Sequence, residues 1–367
     1  MTVEKNMDSI KPVDDAKPLD AKLGHNLHAA SPAAATERPG SRGLDRCALM
    51  LYLTFPLANI AAAGCLTFWA LLRGGLKVRS GMLAYLCWIC FFDRTPERGG
   101  YNFCWRTGIT QKLRASFFWK WAARYFPVRL HAVAPLPPDQ GPYIFVCHPH
   151  GIFGISPMTH FGTDATDFSK IFPGIQVHLL GHSAIFRIPF FREWVLMHGH
   201  GSVGRSTCQS LLRSGKSIGL APGGARESLE SGPKTMKLFL RRRRGFAKLA
   251  LQTGAALVPV IGFGENDLYS TVQFKSDSWA RLFQERLQKM FGFALPIFCG
   301  RYWCPLLPKR LPVDSVVGPP IRPEAIVPEP SEEAVAAFHA KYCEALRHLF
   351  ETNKARFGEA EMDFEIV

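Results

Sequence analysis

Apolar positions follow two different patterns along the chain. From Cys47 to Leu72 the run "CALMLYLTFPLANIAAAGCLTFWALL" contains no charged residue. As a continuous helix it would reach roughly 39 Å, longer than the hydrocarbon core of a bilayer. After "RGGLKVRSG" comes a second apolar stretch, Met82 to Phe92, too short to span alone. Together they read as a membrane hairpin. Pro56 and Gly64 can bend the first arm, so a path that dips in and returns stands beside two full crossings.

From Asp93 onward the apolar runs are short and alternate with helical patterns. The segment "QKLRASFFWKWAARYFPVRL" interleaves Lys112, Arg114, Lys120 and Arg124 with Phe117, Phe118, Trp119, Trp121 and Phe126. That mixture suits a helix at a headgroup boundary, with an ordinary amphipathic helix on a core as the alternative. Strands are predicted at Tyr143–Cys147, Gln176–Leu180, Trp194–Met197, Ser217–Ala221 and Ala256–Phe263. Helices are predicted at Ser206–Ser214, Gly245–Thr253, Ser278–Phe291 and Ser331–Phe350. In the last of these Val335, Phe338, Tyr342, Leu346 and Phe350 share a face, and Ser331 with Glu332 and Glu333 suits its start. The alternation implies an α/β sheet with flanking helices, preceded by the hairpin. No solenoid repeat is evident.

Composition refines this picture. With 47% hydrophobic and only 20% charged residues, the 367-residue chain is more apolar than an ordinary globular domain, which agrees with lipid association. A formal charge of +14 favours anionic partners: headgroups, a phosphorylated co-substrate or nucleic acid. The ten cysteines are scattered, several within apolar runs, as expected of reduced thiols in a cytosol-facing protein. Cys87 and Cys90 form a lone CxxC with no second pair at zinc spacing. Residues 1–45 read as a disordered tail without a cleaved signal peptide, 46–93 as the hairpin, 94–358 as the globular domain and 359–367 as a C-terminal tail.

Among the motifs, "GHGSVG" at Gly199–Gly204 matches a dinucleotide fingerprint, but the following strand ends in "PGG" without the acidic residue that would hold a ribose. "GKSIG" at Gly215–Gly219 matches a nucleophile elbow, yet Ser217 opens a strand after a helix, the reverse of what an elbow needs. Its "GKS" also lacks the glycine and the helix of a P-loop. "RRRR" at Arg241–Arg244 is open between a solvated run and phosphate binding, with nucleic acid ranked last.

The stretch "YIFVCHPHGIFG" carries the strongest chemistry. An imidazole at a strand end can take a proton at neutral pH, and Gly151 permits close backbone approach. General base is the leading reading for the His148/His150 pair, with a structural role and metal ligation beside it. No carboxylate or cysteine set at a recognised spacing completes a metal site.

In order, "FFDRTPERGG", "YIFVCHPHGIFG", "FPGIQVHLL", "FRIPFFREW", "APGGARESL", "RRGFAKLALQTGAALVPVIGFGEND" and "VVGPPI" resemble the diacylglycerol acyltransferase type 2 family, which includes monoacylglycerol and wax-alcohol acyltransferases. The resemblance covers about Phe91 to Gly358. More distantly the chain is similar to the glycerol-phosphate and lysophosphatidate acyltransferases. Those carry an Asp separated from the His by four positions, where this chain has Phe153 after His148 and Ile155 after His150. The group that orients the base is therefore not the usual one, and Glu227 is the candidate. His198 and His200, in "MHGHGSVGRS", depart from the relatives and receive no chemical role.

The resemblance implies a glycerolipid-acyltransferase-like sheet and acyl transfer from acyl-CoA, a co-substrate and not a cofactor, to the hydroxyl of diacylglycerol, forming triacylglycerol. His150 would be the base, with His148 beside it. The glycine turns at Gly151 and at Pro222, Gly223 and Gly224 would lend amides to the oxyanion. Arg205, Arg243, Arg244 and Lys248 would hold the phosphates of CoA. No metal and no nucleic acid is implied; a bilayer partner is, and a homo-oligomer is compatible with the chain. The expected location is the endoplasmic reticulum membrane and the lipid droplet surface, with tail and catalytic domain both cytosolic. A monoacylglycerol or wax-alcohol acceptor is the alternative, and a structural lipid-droplet protein the non-enzymatic one.

Overall fold

Continuous apolar runs become strands buried on both faces. The computed structural model describes residues 59–367 except 126, 231, 233–234, 275–277, 292–295 and 304–306, all within one unit, Pro39–Val367. The strands are β1 (Val128–Ala132), β2 (Tyr143–His148), β3 (Val177–Gly181), β4 (Gly201–Ser202), β5 (Ser217–Leu220), β6 (Thr235–Leu238), β7 (Ala256–Phe263), β8 (Ser270–Val272), β9 (Ile297–Cys299), β10 (Val313–Val317) and β11 (Asp363–Ile366). Among the described residues seven form one sheet in the order β1-β10-β7-β2-β5-β3-β4. Every pairing in it is parallel except β10 with β7. Every residue of β2, β5, β7 and β10 is buried, as central strands covered by helices on both faces require.

One face of the sheet is covered by the helices Arg205–Arg213, Gly245–Thr253 and Glu332–Asn353, whose buried side chains join Ile144, Val146, Ile218 and Leu257 in the largest core cluster. Val335, Phe338, Tyr342, Leu346 and Phe350 are all buried on the predicted face. Ser331 caps that helix, its Oγ accepting the Ala334 N–H at 3.2 Å. The other face carries Phe145, Phe161, Phe168 and Phe172, stacked edge to face or tilted. The last residues, expected as a tail over 359–367, contribute β11, which pairs parallel with β6 and brings Met362 into the core.

Two local expectations are corrected. Trp194–Met197, read as a strand, belongs to the helix Phe191–Met197, where Phe191, Val195 and Leu196 are buried at helical spacing. Four apolar residues do not discriminate between periods of 2 and 3.6; the burial of Phe191, Arg192, Val195 and Leu196, at i, i+1, i+4 and i+5, shows the helical period. The aromatic segment after Gln111 is two helices, Ile109–Arg114 and Phe117–Tyr125, followed by β1. Trp119, Ala122 and Tyr125 face the core there, Phe118 packs against it partly buried and Phe117 stays exposed, so the packed-helix alternative accounts for Trp119 and Tyr125.

Residues 59–72 are helical and lead through 73–75 into the helix Leu76–Cys87, which continues as a π-helical turn, Trp88–Phe92. Leu66, Phe68, Trp69, Leu76 and Phe91 are exposed on these arms. Among the described residues no helix is long and apolar enough to cross a membrane; the opening of the predicted first arm, 47–58, lies outside them.

Candidate active site

The His-Pro-His-Gly turn leaves the C-terminal end of β2 at the middle of the sheet. Two buried carboxylates from other parts of the chain hold its backbone. Glu265, just after β7, accepts the N–H groups of Ile155 and Ser156 at 2.8 and 2.9 Å. Glu227, in the helix Gly224–Glu230 after β5, accepts the His150 N–H at 2.9 Å and the Phe239 N–H at 3.2 Å. Burial pushes both carboxyls up to about 7, against the pull of these donors. Gly151 has φ +63°, and a Cβ there would stand 2.6 Å from Glu265 Oε1, so only glycine fits. A Cβ on Gly223 would likewise overlap the Glu227 carboxylate, which explains the second glycine turn.

The two histidines differ. His148 is 1% exposed, its Nε2 lies 3.0 Å from the Tyr342 hydroxyl, and burial pushes its pKa down to about 3. It stays neutral and faces the core. His150 is only partly covered, and its Nδ1 lies 3.0 Å from the Gly151 carbonyl and 3.3 Å from Ser228 Oγ. A carbonyl can only accept, so Nδ1 carries the proton and Nε2 keeps its lone pair. Ser228 Oγ donates to the same carbonyl at 2.8 Å, bracing it. Burial lowers the His150 pKa, partly offset by the Gly151 carbonyl, which favours the neutral ring a base requires.

Glu227 was the sequence candidate for orienting the imidazole. Its carboxylate instead grips the main chain at His150 and makes no hydrogen bond to either ring. The Gly151 carbonyl and Ser228 orient the ring, through contacts that no spacing in the sequence reveals, although Ser228 stands in "APGGARESL" and Glu265 in "GFGEND". Tyr342 was legible only as a core position.

Pro222 and Gly223 lie in the turn between β5 and the Glu227 helix, which Gly224 opens. Arg243 bears on Glu227 electrostatically, favouring its charged form. Arg244 and Lys248 line a cavity of about 510 Å³ with Arg241, Arg242 and Glu332, and Lys248 pairs with Glu332 at 3.3 Å. This basic cavity begins two residues beyond Phe239, whose N–H bonds Glu227, so the cation cluster and the histidine turn share one support. Arg205 opens the helix Arg205–Arg213 and reaches Gln252, one turn from Lys248 on the neighbouring helix. His198 and His200 are buried and kept neutral by desolvation, away from the turn. No group of three or more His, Cys, Asp or Glu that could hold a metal ion occurs among the described residues.

Residues 77–367 match the family model described as diacylglycerol acyltransferase. The chain is 37% identical over 329 residues to diacylglycerol O-acyltransferase 2 of Danio rerio, covering 88% of this chain and 83% of that protein. It is 40% identical over 284 residues to acyl-CoA wax alcohol acyltransferase 2 of Mus musculus, covering 75% and 82%. Among solved structures, a 1-acyl-sn-glycerophosphate acyltransferase from Thermotoga maritima covers 84% of this chain and 98% of its own at 14% identity, with a TM-score of 0.39.

Proposed function

Because the chain belongs to the diacylglycerol acyltransferase family, we propose that it moves a fatty acyl group from acyl-CoA to the free hydroxyl of diacylglycerol, with His150 as the base. The carrying observation is the 3.0 Å contact of His150 Nδ1 with the Gly151 carbonyl, which assigns the proton to Nδ1 and leaves Nε2 to accept one. Nε2 takes the proton of the acceptor hydroxyl as its oxygen attacks the thioester carbonyl. The tetrahedral oxyanion collapses, the C–S bond breaks, and the CoA thiolate leaves and takes up the proton from the imidazolium. A thiolate with a pKa near 8.5 leaves without further help. Amides of the glycine turns at Gly151 and at Gly223 and Gly224 serve the oxyanion. The cavity lined by Arg241, Arg242, Arg244 and Lys248, with Arg205 and Arg243 near it, suits the phosphates of CoA. In this reading the sheet is of the glycerolipid acyltransferase kind.

The acceptor lipid has to arrive from a bilayer, and the surface beside the turn suits that route. In the helix Trp279–Phe291, Arg281 and Gln284 are buried while Trp279, Leu282 and Phe283 are exposed, the reverse of an ordinary surface helix. Arg281 anchors it to Glu230, at the end of the Glu227 helix. Phe153, in the histidine turn, packs edge to face on Phe298 at 5.4 Å. Together with the apolar hairpin read over 46–93, this surface supports a site at a cytosolic membrane face, of the endoplasmic reticulum or a lipid droplet.

The test is transfer of labelled acyl from acyl-CoA by the purified full chain, offered diacylglycerol, monoacylglycerol and a long-chain alcohol, with products separated by thin-layer chromatography. Triacylglycerol as the main product is expected. A main product from either other acceptor reassigns the substrate, and no product above a His150→Ala control ends the reading.

A further inference from the structure

A second cavity, of about 810 Å³, lies at the opposite end of the sheet. It borders Gln176 and Val177 at the start of β3 and Lys216 just before β5. Val146 pairs with Leu220, which places His148 beyond the far end of β5. Six residues of strand separate the level of Lys216 from that of His148, about 20 Å along the sheet. The cavity is therefore outside the histidine turn and shares no residue with the basic cavity around Lys248.

Its chemistry has two halves. Phe161, Phe168, Phe172 and Val177 make an apolar wall. Arg106, Arg114 and Lys216 bring three cations against one nearby carboxylate, Asp164, which accepts the N–H and hydroxyl of Ser169 at 2.9 and 2.8 Å. Arg114 is 9% exposed, with Nε on the His198 carbonyl at 2.8 Å and Nη1 on the Val177 carbonyl at 3.0 Å. Its Nη2 has no partner among the described residues, nor has the buried indole N–H of Trp105, whose ring lies 4.8 Å below the guanidinium. A buried cation bonded only to carbonyls, with a donor unspent, is costly unless an anion completes it.

We propose that this cavity is a second ligand site, taking an amphiphile with one anionic head, a carboxylate or a phosphate monoester, on Arg114, Arg106 and Lys216, and an alkyl chain along the phenylalanine wall. Volume and lining fit a single chain: small-molecule sites of several hundred Å³ are mostly apolar with a few convergent polar groups. Because Arg114 ties β3 to the His198 carbonyl, occupancy would stiffen that edge of the sheet. The inference does not rest on the acyl-transfer reading.

Diazirine-bearing palmitate, hexadecyl phosphate and hexadecanol, photolysed with the purified full chain in detergent and mapped by mass spectrometry, test it. Both anions should label residues 161–177 and the alcohol should not. The stronger of the two anions identifies the head as carboxylate or phosphate. Arg106→Ala with Lys216→Ala should lower that labelling about tenfold, with melting temperature and acyl-transfer turnover unchanged. Equal labelling by the alcohol, labelling unaffected by the double substitution, or label confined to the histidine turn overturns the site.

Discussion

Glu227 Oε2 accepts the main-chain N–H of His150 at 2.9 Å, joining a carboxylate after β5 to the turn after β2. The second oxygen takes the Phe239 N–H, so both lone-pair sets of this buried acid go to backbone. Glu227→Gln should leave one of those N–H groups facing an NH2. A buried donor without an acceptor costs about 1–3 kcal/mol, so turnover should fall about tenfold or more. Arg226 is exposed over the Phe239 ring, and Arg226→Gln should change turnover little. Steady-state kcat of both variants checks the contrast; equal, mild effects would remove Glu227 from the site.

The histidines should separate by readout. His150→Ala should lower kcat by about 10²–10⁴ with little change in melting temperature, as for a partly covered base. His148→Ala should lower the melting temperature, because it strips the partner from the buried Tyr342 hydroxyl. Ser228→Ala should lower kcat modestly, since the Gly151 carbonyl still holds the ring. A His148→Ala protein of normal stability and no activity would exchange the assignments.

Gly151→Ala should abolish activity. It combines a positive φ with a Cβ inside Glu265, which must move and release Ile155 and Ser156. Gly215→Ala carries a similar φ, +76°, but meets nothing within 4 Å, and controls for backbone strain alone. Equal turnover in the two variants would show that the Glu265 contact is unimportant.

Stability should fall in acid. Burial holds His148, His160 and His178 at about 3 and His198 at about 4, with Arg114 also bearing on the last two. The unfolded chain protonates these rings near 6.5 and the folded chain does not, so their contribution is full above 6.5 and is lost as pH drops toward 4. Glu227 and Glu265 oppose this. Raised to about 7, they bind protons in the folded state, and their contribution is full below about 4.5 and lost as pH rises through 7. Four histidines outnumber two carboxyls between pH 4.5 and 6.5, so the melting temperature should rise across that window. The rise should be steeper in Glu227→Gln, and a flat or falling curve would contradict the neutral histidines.

What the chain order alone determined is what local pattern can carry. The uninterrupted apolar run Ala256–Phe263 reads as a buried strand at that length, and it is β7 residue for residue. Gly245–Thr253 and the stripe from Val335 to Phe350 were legible because helical spacing is a property of neighbours. The histidine turn was legible because glycine and proline punctuate a strand end. The tertiary structure decided the rest. His150 meets Glu227 across 77 positions, Ile155 meets Glu265 across 110 and His148 meets Tyr342 across 194. Those partners are brought together by the order β7-β2-β5 and the helix laid across it, and periodicity carries no record of strand order. The same reason explains Trp194–Met197, whose four apolar residues carry no period of their own; the helix shows only in what Phe191, Arg192, Val195 and Leu196 are buried against, distant Asp93 included.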